Sequence, residues 1–258
     1  SFAYDAQGLP LSMTRADGVL TTYGYDALNR RVSVSAGGLT QQATYDSCTN
    51  GIGRLCSTSD ATGTTSYTYT PEGQIAGRGF SISGTTYALG YSYDSVGRVA
   101  TVVYPDGNRA NYSYANGLVS GVTFTMGTTT ANVATAVGYR PGSQAMASWT
   151  SSNGLTNTLG YDNDGHLIGI SVPGVQNLTL DYDDADRISK ITNGIDGALT
   201  QSFGYDAMSR LNSVASTASN ESYQYDANGN RTSQVVNGVS TPSTISARGT
   251  LMKNIQRQ

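Results

Sequence analysis

Tyrosines alternate with small or polar residues in short segments that recur along the whole chain. In the segment Gly90–Gly107, Tyr91 and Tyr93 are separated by one serine, which places both rings on one face of a strand. Asp94 and Gly97 then mark a tight turn, because aspartate bonds the backbone two residues on and glycine accepts positive φ. A second apolar run and another turn end the unit. The pattern predicts strand, tight turn, strand, turn.

This unit recurs with a nearly constant period. Its second tyrosine has counterparts at spacings of 20 to 25 residues, which indicates a repeat architecture over the whole length. The residue two positions earlier is aromatic or large and aliphatic in ten of the eleven copies, as a strand with one packed face requires. The eleven tyrosines are Tyr4, Tyr25, Tyr45, Tyr69, Tyr93, Tyr114, Tyr139, Tyr161, Tyr182, Tyr205 and Tyr225.

Each turn carries a characteristic polar pair. Aspartate follows the tyrosine in eight copies, and in several copies arginine lies four residues after it, so we expect an ion pair across the turn. An exposed pair contributes only about 0–1 kcal/mol, so it fixes the register more than the stability. The residues that define the repeat are Tyr25, Asp26, Arg30, Tyr93, Asp94, Gly97, Arg98, Tyr182, Asp183, Arg187, Tyr205, Asp206, Arg210, Tyr225 and Asp226.

Two of the copies that depart from this arrangement change the arginine position itself. His166 takes the place of the arginine in one copy, and Arg231 lies one residue late in the last. After the arginine come apolar pairs spaced by three, such as Val99 and Val102, which predict a bulge or a bend in the second strand.

Eleven units of two strands predict about 22 strands, since each strand pairs with the next. We therefore expect an all-β array of antiparallel hairpins in one curved or spiralling sheet with open edges. The array should occupy residues 1–240, and residues 241–258 should form an irregular or frayed tail. The weakly patterned residues 124–138 predict a long loop or a weak edge strand.

Two cysteines, Cys48 and Cys56, lie in one enlarged turn between Asp46 and Arg54. A disulfide there would clamp the insertion, contribute roughly 2–3 kcal/mol, and indicate an oxidising compartment. The alternative is two free thiols. A zinc site is disfavoured, because seven residues separate the cysteines and the single histidine is distant.

Composition narrows the class of protein. The net charge of −3 and the isoelectric point near 5.0 offer no basic face for nucleic acid. No apolar run approaches the ~20 residues of a membrane span. No stretch holds a helical period for three turns. Because no initiating methionine or leader is present, we expect an excised or processed piece of a secreted protein.

The motif Tyr-x-Tyr-Asp-x-x-Gly-Arg followed by valine, leucine or isoleucine resembles the Rhs/YD repeat. The best copies are residues 91–99, 180–188, 203–211 and 223–231, and the resemblance covers residues 2–240. The Cys48–Cys56 turn also resembles an insertion common in bacterial Rhs proteins. The resemblance implies a β-sheet that spirals into a hollow shell, of which this chain would be an open section.

In bacterial polymorphic toxins and insecticidal toxin complexes, such a shell holds an unfolded toxic segment, whereas teneurins use a related shell in adhesion. Two features of the family have no match in this sequence: the core segment with an aspartate autoprotease, and the variable toxin domain that follows it. Cleavage and toxicity are therefore not implied for this chain.

The sequence predicts no catalytic residue, cofactor or metal. The single histidine, His166, occupies an arginine position of the repeat, which favours a structural role. Aspartates at alternate positions in 162–164 and 181–186 would suit calcium, but neither run completes an EF-hand loop and both lie on repeat turns. The tyrosines have two interpretations: rings stacked from repeat to repeat in a core, which we favour, or an exposed sugar-binding platform.

We therefore predict a non-catalytic structural segment of a secreted Rhs-type protein, located outside a bacterium or at its surface. Its expected partners are the remaining shell segments or an enclosed toxin polypeptide, with self-association through open sheet edges. The alternative is an extracellular carbohydrate-binding or adhesion module, and a third, weaker hypothesis is a glycosidase.

Overall fold

The repeats form strands joined by tight turns, because each carries alternating apolar positions between residues that accept turn geometry. The computed structural model describes residues 1–245 and 251–252. In this part of the chain the only helix is a short 3₁₀ turn, Gly197–Leu199. The prediction of an all-β array of antiparallel hairpins is confirmed.

The chain divides into two compact units, Ser1–Val133 and Ala134–Gln258. One continuous array over residues 1–240 stays a prediction. The strands of the first unit are β1 Phe2–Tyr4, β2 Pro10–Thr14, β3 Leu20–Tyr25, β4 Arg31–Ala36, β5 Leu39–Tyr45, β6 Leu55–Asp60, β7 Gly63–Tyr69, β8 Ile75–Ile82, β9 Thr85–Tyr93, β10 Val99–Val103, β11 Arg109–Ala115 and β12 Leu118–Met126.

The division falls within β13, and the remaining strands belong to the second unit. These strands are β13 Thr129–Tyr139, β14 Met146–Ser151, β15 Thr156–Tyr161, β16 Leu167–Val172, β17 Gln176–Tyr182, β18 Ile188–Asn193, β19 Gln201–Tyr205, β20 Leu211–Ser216, β21 Asn220–Tyr225, β22 Arg231–Val236, β23 Val239–Pro242, β24 Thr244–Ile245 and β25 Leu251–Met252.

Within each unit, consecutive strands pair antiparallel in chain order, from β1 to β12 and from β13 to β23. In such a meander successive turns alternate between the two ends of the strands. The turns that follow the repeat tyrosines therefore lie side by side at the same end of the strands in each unit. We call this set of turns the turn row of the unit.

A bulge recurs at the repeat tyrosines, as the sequence predicts. Tyr25 pairs with Arg31 while Gly24 pairs with Ser33, so Val32 is the extra residue. The same shift precedes Tyr205 and nine other tyrosines or their equivalents along the two units. The bulge bends the second strand and increases its twist where the strand leaves the turn.

Neither unit has a deeply buried core in the described residues. Apart from two glycines, the buried residues there are Cys56, Ala110, Leu180 and Thr21, and no large side chain is fully buried. Along β7 exposure alternates strictly, with Tyr67 and Tyr69 half-buried on one face. The sheets are single layers, so stability comes mainly from contacts between neighbouring repeats, as in other repeat proteins.

Two sequence expectations concern weakly patterned segments. Residues 124–138, for which the sequence predicts a long loop or a weak edge strand, form the end of β12 and most of β13. Of the predicted tail, residues 246–250 and 253–258 lie outside the described residues. Its described part contains the end of β23 and the short pair β24 and β25.

Candidate functional site

The turn row is the part of each unit where the chemistry of the repeat is concentrated. In the turn at 94–98, the backbone N–H of Asp94 donates to the carbonyl of Arg98 at 2.8 Å, and the N–H of Gly97 donates back to the Asp94 carbonyl at 3.0 Å. One carboxylate oxygen of Asp94 accepts the N–H groups of Val96 and Arg98 at 3.0 and 2.9 Å. The carboxylate therefore closes the turn from inside.

The other carboxylate oxygen holds the arginine. Arg98 Nε donates to Asp94 Oδ2 at 2.7 Å, which forms the predicted ion pair. Equivalent Nε–Oδ2 distances are 2.7 Å for Asp26–Arg30, 2.8 Å for Asp183–Arg187 and 2.7 Å for Asp206–Arg210. These charge-assisted bonds are partly exposed, so they orient the guanidinium more than they stabilise the fold.

The fourth residue of the turn has positive φ. Gly97 has φ of 84°, but Asn29 and Ser209 take the same position at 60° and 59°. A left-handed conformation is uncommon for residues with a side chain. Its persistence in non-glycine copies indicates that the hydrogen bonds of the aspartate impose the turn.

Hydrogen bonding to the charged form lowers the pKa of these aspartates. For Asp26, Asp94 and Asp206 the main cause is the backbone N–H of the arginine, and the guanidinium adds to it. For Asp183 the guanidinium of Arg187 is the main cause. The turn carboxylates are therefore held ionised.

The repeat tyrosines tie their own repeat to the one before. Tyr205 Oη donates to the carbonyl of Ile188 at 2.8 Å, and Ile188 directly follows the arginine of the preceding turn. The same bond recurs along both units at 2.6 to 3.2 Å, from Tyr25, Tyr45, Tyr69, Tyr93, Tyr114, Tyr161, Tyr182 and Tyr225.

The arginine of one turn also covers the tyrosine ring of the next repeat. The guanidinium carbon of Arg98 lies 4.2 Å from the Tyr114 ring centroid, and Arg210 lies 4.7 Å from Tyr225. The same contact occurs for Arg30–Tyr45, Arg54–Tyr69, Arg140–Tyr161 and Arg187–Tyr205. We call the contact between two consecutive repeats at the turn row a joint. Arginine, rather than a neighbouring tyrosine, covers the ring at these joints, which corrects the expected stacking of tyrosine on tyrosine.

Some arginines also donate to polar groups of the next turn. Arg210 Nη1 donates to the carbonyl of Asp226 at 3.0 Å, and Arg187 Nη1 donates to Ser209 Oγ at 3.1 Å. In the turn at 70–74, which has neither aspartate nor arginine, Gln74 Nε2 donates to the carbonyl of Gly97 at 2.7 Å. Hydrogen bonds thus run from turn to turn along the row.

In the enlarged turn, Cys48 and Cys56 form a disulfide with an S–S distance of 2.04 Å and a Cα–Cα distance of 5.4 Å. Cys56 is 4% exposed and is the bulge residue of its strand. Gly51 lies against both sulfur atoms, so a side chain at this position would collide with them.

The insertion separates the aspartate from the arginine that follows it. Asp46 pairs instead with Arg30 of the preceding turn, at 3.0 and 2.5 Å, and accepts the N–H of Gly53 at 2.6 Å. Arg30 chiefly, with Gly53, lowers the pKa of Asp46 to about 2. Arg54 turns to the carbonyls of Asn50 and Ile52, so the expected pair across the turn is not formed here.

The last copy is closed by an amide. Asn230 Nδ2 donates to Asp226 Oδ2 at 2.9 Å, which replaces the arginine bond. Arg231, one residue later, lies over the ring of Tyr223 at 5.5 Å. The offset noted in the sequence therefore moves the guanidinium away from the turn aspartate.

His166 occupies the arginine position of its copy. Its Nδ1 lies 2.9 Å from Asp162 Oδ2, its Nε2 lies 3.7 Å from Asp186 Oδ1, and its ring lies 5.0 Å from that of Tyr182. The pKa of His166 is raised, chiefly by its hydrogen bond to Asp162. Partial burial raises the pKa of Asp162, but bonds from His166 outweigh this effect and leave that pKa lowered.

Donor atoms of Asp162, Asp164 and His166 lie within 4.8 Å of one another. Asp162 Oδ1 already accepts the N–H groups of Asp164 and His166, and Oδ2 faces the imidazole. The turn itself therefore explains this cluster.

The groups most often used in catalysis have structural contacts here. Both ring nitrogens of His166 face carboxylates, and the two cysteines are joined to each other. The predicted tyrosine, aspartate and arginine of each repeat do come together, although the tyrosine meets the arginine of the preceding copy. No helix in the described part of the chain has the length and apolar character that crossing a membrane requires.

Comparison with known proteins agrees with this geometry. Residues 1–176 match the family model described as Teneurin YD-shell. Comparison with curated protein sequences gives no match. Among solved structures, the crystal structure of TcdB2-TccC3-Cdc42 is similar with a TM-score of 0.81 and 18% identity, over 96% of this chain and 16% of that one.

Two further structures give the same result. The crystal structure of TcdB2-TccC3 without its hypervariable C-terminal region has a TM-score of 0.81 and 18% identity, over 97% of this chain. The Photorhabdus luminescens Tc holotoxin pore has a TM-score of 0.74 and 17% identity, over 96% of this chain. The chain spans 16% of the length of each of these structures. At this identity the likeness concerns the fold.

Proposed function

Because the chain belongs to the teneurin YD-shell family, we propose that it is a wall segment of a β shell that encloses a polypeptide and that it has no catalytic role. The observation that carries the proposal is the turn row, where the aspartate orients the arginine of its own turn while tyrosines and arginines join one repeat to the next. A surface built in this way is suited to extension by further repeats. The partners would be neighbouring shell segments and an enclosed toxin segment, in a protein secreted by a bacterium or held at its surface.

The single-layer sheets support enclosure over a compact binding fold. A layer with few buried residues leaves both faces accessible, so one face remains available to a client. Apolar side chains with large exposed fractions, such as Leu28, Val96 and Met208 at 65–70%, occur on the turns themselves. Exposed apolar side chains along the turn row suit contact with another part of a wall.

Small-angle scattering of the purified chain tests the wall proposal. A compact domain of this length has a radius of gyration of about 18 Å. We expect a distinctly larger value, because each unit is one layer thick. A value near 18 Å would contradict the proposal. So would hydrolysis of a peptide or glycan by the chain that is lost when one turn aspartate, such as Asp94, is changed to alanine.

The second candidate, carbohydrate binding, has support outside the repeat tyrosines. The repeat hydroxyls donate to carbonyls, whereas Tyr87 is 48% exposed and its hydroxyl has no partner in the part of the chain that the structure describes. Phe80 pairs with it across the strands, and the guanidinium of Arg78 lies 4.5 Å from the Phe80 ring. A glycan array compares the chain with its Tyr87→Ala variant, and binding that depends on Tyr87 would favour this candidate.

A further inference from the structure

One joint in the second unit has a titratable group where its neighbours have a permanent charge. The two following joints use Arg187 and Arg210, each bonded to the aspartate of its own turn and reaching the next turn. The guanidinium remains protonated at any pH that a protein meets. His166 replaces it in the joint between the turns at 162–166 and 183–187, and imidazole changes its charge near neutral pH.

Each ring nitrogen of His166 faces a carboxylate, so the protonation of both nitrogens affects the joint. Nδ1 faces Asp162 on its own turn, and Nε2 faces Asp186 on the next turn. The imidazolium has two N–H groups, so it can donate a hydrogen bond to Asp162 at 2.9 Å and at the same time form an ion pair with Asp186 at 3.7 Å. A neutral ring has one donor and presents a lone pair to the other carboxylate, so one of the two links is lost and becomes repulsive.

The groups around the ring are mostly acidic. Asp162 and Asp164 lie on its own turn, and Asp186 lies on the following one. The uncharged ring of Tyr182 packs against the imidazole at 5.0 Å, and Arg140 of the preceding turn lies beside Gly165. The three carboxylates outnumber the one cation and favour the protonated ring.

We propose that the joint made by His166 is a pH-responsive link between two repeats, closed while the imidazolium bridges Asp162 and Asp186 and loosened when the ring loses its proton. The folded-state pKa is raised above the ordinary 6.5, so the stabilisation is complete below 6.5 and is lost as the pH rises through the folded-state value. Acid therefore tightens this joint, while the arginine joints stay unchanged. The inference concerns the joint alone and does not depend on what the shell encloses.

The test uses the fact that His166 is the only histidine of the chain. Its imidazole resonances in an NMR titration give the pKa without assignment, and the expected value lies above 6.5. Amide exchange protection of residues 182–187 should fall over the same pH range. Between acidic and alkaline pH, the ratio of closed to open joints should fall in total by a factor of ten for each unit by which the measured pKa exceeds 6.5.

Three variants test whether His166 connects the turns at 162–166 and 183–187 or acts on its own turn alone. The His166→Arg variant should keep the amides of residues 182–187 protected from exchange at all pH values, as we expect at the joints made by Arg187 and Arg210. Arg187→His should create a second pH-dependent joint, with protection lost around residues 205–210. Asp186→Asn should lower the pKa of His166 while the native fold is kept.

Two results would overturn the proposal. One is a His166 pKa at or below 6.5. The other is a pH dependence of protection at 182–187 that persists unchanged in the His166→Arg chain. Because the NMR titration requires only the wild-type protein, a variant that fails to fold leaves the proposal testable.

Discussion

The turns at 46–54 and at 206–210 occupy the same position in the repeat, yet different chemistry closes them. At 206–210, Asp206 binds the backbone of its own turn and the side chain of Arg210. At 46–54, a disulfide closes the loop, and Asp46 is released to bind Arg30 of the preceding turn. The position must be closed, but the fold accepts either a covalent or an electrostatic closure.

What the two turns share is the joint to the following repeat. Leu55 and Leu211 each offer a carbonyl to the next repeat tyrosine, at 2.6 Å from Tyr69 and 2.7 Å from Tyr225. The arginine of each turn lies over the same ring. The comparison therefore separates an interchangeable part of the repeat, the closure, from a fixed part, the tyrosine joint.

The largest expected effect comes from removing the covalent closure. Replacing both cysteines, Cys48→Ser with Cys56→Ser, should lower the free energy of unfolding by roughly 2–3 kcal/mol, because the open chain gains loop entropy. Urea denaturation measures the loss. Hydrogen exchange should locate it in the first unit, around the turn and Tyr69, whose N–H donates to Thr49 in the loop.

A reductant provides the matched control for this prediction. It should bring the wild-type chain to the stability of the double serine variant and leave that variant unchanged. Equal stability of the oxidised wild type and the variant would mean that the hydrogen bonds of Asp46 close the turn by themselves.

The next effect tests the shared joint. Tyr69→Phe and Tyr225→Phe each remove one hydroxyl that donates to a carbonyl, so each should cost about 0.5–1.5 kcal/mol in free energy of unfolding. The matched control is Tyr87→Phe, since that hydroxyl has no partner among the described residues. We expect a change near zero for the control. Equal losses in all three variants would contradict the role of the hydroxyl bond.

Much of the fold could be predicted from the sequence because the repeat is dictated locally. Aspartate and glycine specify the turn, alternation specifies the strands, and the spacing of three after Arg98 indicates the bulge. Residues 124–138 were harder, because strand pairing with a neighbour does not require a strong pattern in the strand itself.

The hydrogen bonds between repeats could not be predicted from the sequence. The carbonyl that accepts from Tyr205 belongs to Ile188, 17 residues earlier, and a backbone acceptor leaves no mark in side-chain identity. A usable signal did exist, because the residue after the arginine keeps a nearly fixed distance from the next tyrosine. The pairing of Asp46 with Arg30 needs the register of adjacent strands, which no local pattern gives.

The smallest expected effect distinguishes the two closures by their response to acid. The lowered pKa of Asp206, due first to the N–H of Arg210, means that its contribution is complete above the unfolded value of about 3.9 and is lost as the pH falls through the folded value. The difference in unfolding free energy between wild type and Asp206→Asn should therefore hold from pH 7 to about 4 and shrink below. For Asp46→Asn the difference should also begin to shrink below about 4, but it should go on shrinking until the pH reaches about 2, because Arg30 holds that pKa at about 2. If the Asp206 difference outlasted the Asp46 difference as the pH fell, the bidentate pair with Arg30 would not be the stronger of the two electrostatic links.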